Sequence, residues 1–286
     1  MPELPEAETI RRGLEAPLGG RTILRIYVRF PDLLAAPPPA FRSALEGRHV
    51  HTIGRRGKNV VLGFSDSGGQ GPDLRLVVNL GMSGRLVLRE RDDASEPPSH
   101  PGVEFELDGG GRLIYHDIRR FGRLRVLEEP AFREWSDGLG PEPLSRRFTA
   151  KRLMAGLSRS GSPVRSWLLD QRRIAGVGNI YANEALFGAR VHPRTAANRL
   201  SEVEVRQLHR ALRRVLRAAI RAQGTTFQDY RTALGSRGSY ASRLRVYGRE
   251  GRPCSRRCGA GVERLVFGNR SAFLCPRCQS EPDLRE

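Results

Sequence analysis

Three sets of residues in this chain have types and spacings that could do chemistry: the opening Met1-Pro2-Glu3, the lysine at position 58, and four cysteines confined to residues 254–278. Aminopeptidases commonly remove an initiator methionine that precedes a residue as small as proline. Pro2 would then carry a free secondary amine, with an unperturbed pKa of about 7.7–8.0 against roughly 10.4 for a lysine side chain. Such an amine is partly unprotonated near neutrality. It can attack a sugar carbon and become a cationic iminium, which acts as an electron sink. Glu3, next to it, could donate or accept the protons this chemistry needs. On these residues alone the alternative is a frayed terminus leading into a surface helix. Lys58 is one of two lysines, with Lys151, among 49 basic residues; lysine performs proton chemistry that arginine cannot. Cys254, Cys258, Cys275 and Cys278 fall as C-x3-C, sixteen residues, then C-x2-C. Paired knuckles in a chain without a secretory pattern read as a four-cysteine zinc site, with two disulfides as the alternative.

These groups must be held by recognisable elements. Pro5 suits a first helical turn, and Glu6 and Glu8 complement the helix dipole there. Residues 5–16 read as a helix with Ile10 and Leu14 on one face. An amine near that helix start would have its pKa lowered further by the positive dipole end. Eight alternating segments follow: Thr22–Phe30, Val50–Ile53, Asn59–Phe64, Leu74–Leu80, Arg85–Arg89, Val103–Leu107, Leu113–His116 and Leu124–Leu127. Their spacing predicts an antiparallel sandwich or barrel. Ser65–Asp73 reads as a glycine-rich turn and Arg91–Pro101 as a polar loop.

Three turns in this half carry unusual residues. Arg55-Arg56-Gly57-Lys58 would hold Lys58 at a hairpin tip. Leu80-Gly81-Met82-Ser83-Gly84 sets a methionine between glycines, and His116–Gly122 sets Arg119 and Phe121 in a loop. Exposed Met, Arg and Phe on loops are what a protein needs to wedge into a base stack. A solvated basic turn and a methionine folded into the core are the plainer alternatives.

Gly140-Pro141-Glu142-Pro143-Leu144 reads as a linker, and the hydrophobic period becomes helical beyond it. Ser145–Leu157 and Val164–Leu169 are predicted helices. Gly176-Val177-Gly178-Asn179 opens another through about Phe187, a turn that can present backbone N–H groups and Asn179 to a phosphate. Ser201 and Glu204 form a capping box that starts a long arginine-rich helix ending near Gly224. Thr225–Ser242 is a polar, glycine-containing loop of functional length. Between the cysteine pairs, Val262–Phe267 and Ser271–Leu274 read as a hairpin, turning at Gly268-Asn269-Arg270 with Arg270 at its tip. Zinc would fix a hairpin with too little core to fold alone.

The chain has 286 residues and a formal charge of +18. That length supports two domains with ample core, and that charge calls for a polyanion partner. No run long enough to span a membrane, no basic amphipathic anchor and no signal-peptide pattern is visible. The expectation is a soluble cytoplasmic protein that binds nucleic acid.

Taken together, PELPE, Lys58 in RRGKNV, LGMSG, DIRRFG, GPEPL, GVGNIYANE, the VYGREG-x-PC stretch and the cysteine array resemble, in order, the formamidopyrimidine-DNA glycosylase family of bacteria. The likeness runs from Pro2 to Cys278. It implies an α+β multidomain fold: an N-terminal β-sandwich with a leading helix, and a C-terminal helix–two-turn–helix domain bearing a zinc-finger β-hairpin. The expected divisions are a catalytic sandwich over 1–134, a linker over 135–146, the helix–two-turn–helix domain over 147–235, and the lesion-loop end with the zinc finger over 236–286. DNA would lie in the cleft between the domains.

The resemblance implies that Pro2 is the Schiff-base nucleophile and Glu3 its proton donor. Lys58 would serve β-elimination and contact phosphate, and Arg270 would assist δ-elimination. Met82, Arg119 and Phe121 would fill the gap left by an everted nucleotide, while Asn179, His100, Arg119 and Arg165 would contact DNA. Cys254, Cys258, Cys275 and Cys278 would bind one structural zinc ion, with no nucleotide or organic cofactor. The implied partner is duplex DNA bearing oxidised bases or abasic sites, met by a bacterial, nucleoid-associated monomer without membrane attachment.

The chain departs from the family pattern in four places. Its first knuckle is C-x3-C where C-x2-C is usual, and Asn79 stands where a histidine commonly precedes LGMSG. Ile118 replaces the usual Pro or Val, and Arg165 replaces a lysine. The expected activity is excision of 8-oxoguanine and formamidopyrimidines with strand cleavage. An endonuclease VIII-like preference for oxidised pyrimidines is the alternative; Leu4 disfavours it, because that branch usually reads PEGPE. A zinc-bearing DNA-binding protein without catalysis is the third reading, disfavoured by Pro2, Glu3 and Lys58 together.

Overall fold

The structure, a computed structural model, describes residues 2–65, 73–93, 100–226, 230–267 and 270–281. The expected glycine-rich turn after Ser65, most of the Arg91–Pro101 loop and the Gly268-Asn269 turn lie outside the described residues. The chain divides into two compact units: Met1–Gly138 with Ala222–Ser239, and Leu139–Arg221 with Tyr240–Glu286. Residues 222–239, which the sequence reading divides between the helical domain and the lesion-loop end, thus pack with the first unit.

The first unit opens with helix α1 (Leu4–Leu18) and continues through β1 (Ile23–Val28), α2 (Pro38–Leu45), β2 (His49–Arg56), β3 (Asn59–Ser65), β4 (Leu74–Asn79), β5 (Arg85–Arg89), β6 (Pro101–Leu107), β7 (Arg112–His116), β8 (Arg123–Glu128) and α3 (Glu129–Asp137). The strands form two antiparallel four-stranded sheets, ordered β2-β3-β4-β8 and β1-β6-β7-β5. All eight strands that alternation predicts are present. One apolar core joins Val60, Leu62, Leu76 and Val78 of the first sheet to Ile26, Leu86, Phe105 and Leu113 of the second. This is the sandwich that period-2 patterning requires when one face of each sheet is buried. Helix α1 buries Ala7, Ile10, Leu14 and Leu18 in the same core and packs on β2 and β3. Strand β3 is therefore buried along its whole length. Tyr230 and Ala233 add side chains to this core from the returning segment.

The second unit comprises α4 (Ala150–Leu157), α5 (Val164–Leu169), α6 (Asn179–Ala189), α7 (Glu202–Arg221) and the hairpin β9 (Glu263–Phe267) and β10 (Arg270–Leu274). Helix α6 is buried almost all round, which marks it as the central helix of the unit. Helix α7 lays Val205, Leu208, Leu212 and Leu216 against it, and β10 packs on it as well. The predicted capping box starts α7: the Ser201 backbone N–H donates to Glu204 Oε2 at 2.8 Å, and Glu204 N–H donates to Ser201 Oγ at 3.3 Å.

One expectation needs correction. Helix α4 begins at Ala150, capped by Thr149, whose Oγ1 accepts the Arg152 N–H at 3.2 Å. Residues before Thr149 do not extend it, because the Thr149 backbone is extended (φ −92°, ψ 164°); Arg213 donates instead to the Pro143 and Ser145 carbonyls at 2.8 Å each. Gly140–Leu144, read as a linker, begins just after the boundary between the two units and is held by hydrogen bonds. Gly140 N–H donates to Gln171 O at 2.8 Å and Ala175 N–H to Pro141 O at 3.1 Å. Among the described residues no helix is long and apolar enough to cross a membrane.

Candidate functional site

In the first unit, Pro2 and Glu3 sit immediately before α1, and both are buried. Glu3 is the N-cap. It forms a reciprocal capping box with Glu6, whose Oε2 accepts the Glu3 backbone N–H at 2.8 Å. The other oxygen of Glu6 accepts the Thr225 backbone N–H at 2.7 Å. A single buried carboxylate therefore orients the residue after Pro2 and anchors the returning segment. The terminus is thus held in place rather than frayed, at least from Pro2 onward; Met1 lies outside the described residues.

Lys58 occupies the two-residue β2–β3 turn. Gly57 adopts φ +58° there, and Arg56 pairs with Asn59. A positive φ at the first central residue alone is the geometry of a type II′ hairpin turn, which wants glycine at that place. Arg55 Nη1 donates to Gly57 O at 2.8 Å and steadies the turn. Just beyond, Asn59 Oδ1 accepts from Asn79 Nδ2 at 2.8 Å, and Asn79 Oδ1 accepts the Gly81 N–H at 2.9 Å. Asn79, the departure noted before LGMSG, thus links the Lys58 hairpin to the Met82 turn.

Met82 is 39 % exposed and Phe121 57 %, so Met82 does not fold back into the core. The Arg119 guanidinium carbon lies 5.0 Å from the Phe121 ring centroid. Their two loops are joined by Asp117, which is fully buried. Its Oδ1 accepts from Ser83 Oγ at 2.6 Å, and its Oδ2 accepts the Gly122 N–H at 2.8 Å. Ser83 Oγ in turn accepts the Arg119 N–H at 3.2 Å. Tyr115 closes the network, donating to Asn79 O at 3.1 Å. Burial, followed by the charge of Asp117, pushes its phenol well above the ordinary range. Gly122 can be nothing larger, since a Cβ there would stand 1.6 Å from the Tyr115 hydroxyl. His100 is exposed, and its backbone N–H donates to His116 Nδ1 at 3.3 Å.

In the second unit, Gln171 braces the turn before α6 by accepting the Gly176 N–H at 2.9 Å and donating to Val177 O at 2.8 Å. Asn179 is the first residue of α6. Its Oδ1 accepts from Arg165 Nη2 at 2.7 Å and Asn183 Nδ2 at 3.1 Å, while its own Nδ2 donates to Ser271 O at 3.1 Å. With the oxygen doubly occupied, the donor side of the amide is the side left for a ligand. Arg165, expected among the DNA contacts, is only 2 % exposed. It lies behind Asn179, also donates to Ser271 O at 2.9 Å, and stacks over Phe267 with its guanidinium carbon 5.0 Å from the ring centroid. Burial, with the charge of Arg270, pulls it down to about 10. Any action of Arg165 on a phosphate must therefore pass through Asn179. Arg270 opens β10, pairs with Phe267 and is exposed.

The four cysteine sulfurs lie within 4.8 Å of one another. Cys254–Cys278 and Cys258–Cys275 sulfur separations are 3.9 and 3.4 Å, far from the roughly 2.05 Å of a disulfide. A tetrahedral zinc with Zn–S of about 2.3 Å would need sulfurs roughly 3.8 Å apart, so the cluster fits one structural ion. The extra knuckle residue is absorbed locally. Arg257 N–H closes a turn on Cys254 O at 2.8 Å, and Arg257 takes φ +53°, a left-handed conformation uncommon outside glycine.

The bridging roles of three residues escape sequence reasoning: Asp117, Glu6 and Glu184. Glu184, 2 % exposed, accepts the backbone N–H groups of Arg245, Val246 and Tyr247 at 2.9–3.0 Å. It thereby ties the strand-free stretch before the first zinc knuckle to α6.

A sandwich whose leading helix begins at a buried Pro-Glu pair, together with a helical unit carrying a four-cysteine hairpin, defines a DNA-glycosylase type of protein. Residues 1–124 match the formamidopyrimidine-DNA glycosylase N-terminal domain, residues 139–231 its H2TH domain, and residues 251–280 the zinc finger found in FPG and IleRS. The chain is 42 % identical over 280 residues to the formamidopyrimidine-DNA glycosylase of Chloroflexus aggregans, covering 98 % of each. It is 42 % identical over 283 residues to that of Heliobacterium modesticaldum, covering 98 % of this chain and 100 % of the relative. Among solved structures it is similar to Lactococcus lactis Fpg in complex with DNA containing an abasic site, at 32 % identity and a TM-score of 0.87 over 98 % of this chain and 100 % of the other. The chain belongs to the formamidopyrimidine-DNA glycosylase family.

Proposed function

We propose that the protein excises oxidised purines from duplex DNA as a bifunctional N-glycosylase and AP lyase, with Pro2 as nucleophile. The observation that carries this reading is the buried Pro2-Glu3 pair, fixed at the start of α1 by the Glu6 capping box. A base inside a duplex is out of reach, so the nucleotide must be everted at a cost of a few kcal/mol. Exposed Met82, Arg119 and Phe121, on loops locked together by Asp117, offset part of that cost by filling the gap.

Once Met1 is removed, the Pro2 amine attacks C1′ of the deoxyribose while Glu3 protonates the opening sugar ring, and the base departs. The resulting iminium acidifies the C2′ proton. Its loss expels the 3′ phosphate in β-elimination, with Lys58 as proton donor. A second elimination, assisted by Arg270, releases the 5′ phosphate. Asn179 presents its amide donor to the DNA backbone, and Arg165 positions that amide. His100 makes a further DNA contact. Cys254, Cys258, Cys275 and Cys278 would hold a structural zinc ion that fixes the Arg270 hairpin, and four thiolate ligands would leave no position for water.

Pyrimidine lesions belong among the test substrates, because the wild-type Lactococcus lactis relative was solved with DNA containing an oxidised pyrimidine, at 33 % identity to this chain. Borohydride should trap a covalent complex between Met1-free protein and a duplex bearing 8-oxoguanine opposite C, and Pro2→Gly should abolish it. Absence of trapping by the intact, Met1-free protein would sink the mechanism. Faster trapping on oxidised pyrimidines would transfer the chain to the alternative branch.

A further inference from the structure

Helices α6 and α7 and the stretch Tyr240–Arg245 enclose a cavity of about 260 Å³, lined by Glu184, Gly188, Arg214, Tyr240, Arg243 and Arg245 together with Val215 and Ala218. Among the described residues, none of the three lining guanidiniums has a hydrogen bond or an ion pair. Three unpaired arginines converging on one concavity create a strongly positive local potential. Arginine is also the side chain whose planar fork best matches phosphate oxygens.

The rest of the lining agrees. Gly188 lets α6 and α7 approach closely: a Cβ there would stand 3.0 Å from Ala211 Cβ and 4.0 Å from Arg214 Nη2. A larger residue would therefore fill the space beneath the Arg214 guanidinium. Tyr240 is 5 % exposed, and burial, followed by the charge of Glu184, pushes its phenol up to about 12. It stays a donor at any physiological pH. Glu184, the one carboxylate in the lining, turns its oxygens to the backbone N–H groups of residues 245–247. It shapes the floor, and its charge acts on Arg245 alone of the three arginines.

The geometry points to a phosphate-binding site in this pocket, held by Arg214, Arg243 and Arg245 with Tyr240 as a further donor, and separate from Asn179 and Arg270. The phosphate belongs either to a DNA backbone beyond the lesion footprint or to a free phosphate compound. Both sources offer the same tetrahedral anion.

The test uses the full-length zinc-loaded protein and the variant R214A/R243A/R245A, checked for cleavage of a short lesion duplex. Inorganic pyrophosphate is titrated while the backbone amide resonances of residues 245–247 are followed. The salt dependence of binding to long undamaged duplex is measured alongside. The site predicts shifts of these amides in the intact protein that vanish in the variant. If the source is DNA, loss of three contacts also lowers the slope of log affinity against log salt by about 2–3; if it is a free phosphate compound, the slope is unchanged. Should the triple variant fail to cleave the short duplex, Arg214→Ala alone, on the exposed side of α7, replaces it and must weaken the amide response several-fold. Amides that ignore pyrophosphate in the intact protein overturn the site, whatever the salt slope does.

Discussion

Ser83 Oγ and Asp117 Oδ1 lie 2.6 Å apart, so the loops carrying Met82 and Arg119 are pinned to one buried carboxylate. Removing the hydroxyl leaves a buried acceptor short of a partner, a loss of about 1–3 kcal/mol. Ser83→Ala should lower the thermal midpoint and slow excision of 8-oxoguanine from duplex. Cleavage of an abasic site in single-stranded DNA, which needs no gap filled, should be largely spared. Equal loss on both substrates would show that the link does not serve the wedge.

Arg165 should act through Asn179. Arg165→Met leaves the Asn179 oxygen with Asn183 alone and should weaken binding to an uncleavable abasic-analogue duplex by about 1–3 kcal/mol, a factor of roughly 5–150. Arg165→Lys keeps the charge but cannot reproduce the flat stack on Phe267, and should fall between. Zinc content should match wild type in both. Wild-type affinity in Arg165→Met would refute the positioning role.

Zinc removal should act locally. The hairpin core is small, formed by Phe187, Val246 and Val262 with Cys254 and Cys275, and without metal it has little to hold it. A chelator should leave most helical circular dichroism intact while suppressing the δ-elimination product relative to the β product. An unchanged product ratio at verified zero zinc would contradict placing Arg270 in the second step.

Glu8 supplies a pH signature. Burial pushes its carboxyl up, but Arg12, Arg11 and Arg55 outweigh it and hold the pKa below the ordinary value. Arg55 reaches it from β2 at 3.1 Å. For a group depressed in the folded state, the stabilisation is complete above its unfolded pKa, roughly 4.3, and is lost as pH falls through the folded value. Glu8→Gln should cost about 1–3 kcal/mol near neutrality, and urea titrations should show that difference shrinking below about pH 4.3. A difference independent of pH would exclude the ion-pair origin.

Much of this molecule is legible in its residues. Alternation locates all eight sandwich strands because each has one face in a common core. Helices α2 and α3 are not visible in that way: they span 8 and 9 residues, and α3 buries no side chain. The cysteines announce their cluster because metal ligands need a fixed spacing. The distant partners of Asp117, Glu6 and Glu184 are not readable: Ser83, Thr225 and residues 245–247 lie far off in the chain, and in sequence a buried acceptor looks like any acidic residue. Arg165 shows the same limit from the other side. Its substitution for lysine is readable, but its burial behind Asn179 is a matter of packing alone.

The bond from Thr225 to Glu6 spans 219 positions of chain. Leu88 N–H also reaches forward, donating to Ala233 O at 3.0 Å. A ribosome therefore releases α1 and the whole sandwich long before the segment that completes their core. Until residues 222–239 emerge, the helix that presents Pro2 lacks Tyr230 and Ala233 against it and lacks the second partner of Glu6. Non-local closure of this kind is slow. The helix that follows Pro2 thus acquires its last core contacts only after residues 222–239 have left the ribosome, behind helices α4 to α7 of the other unit.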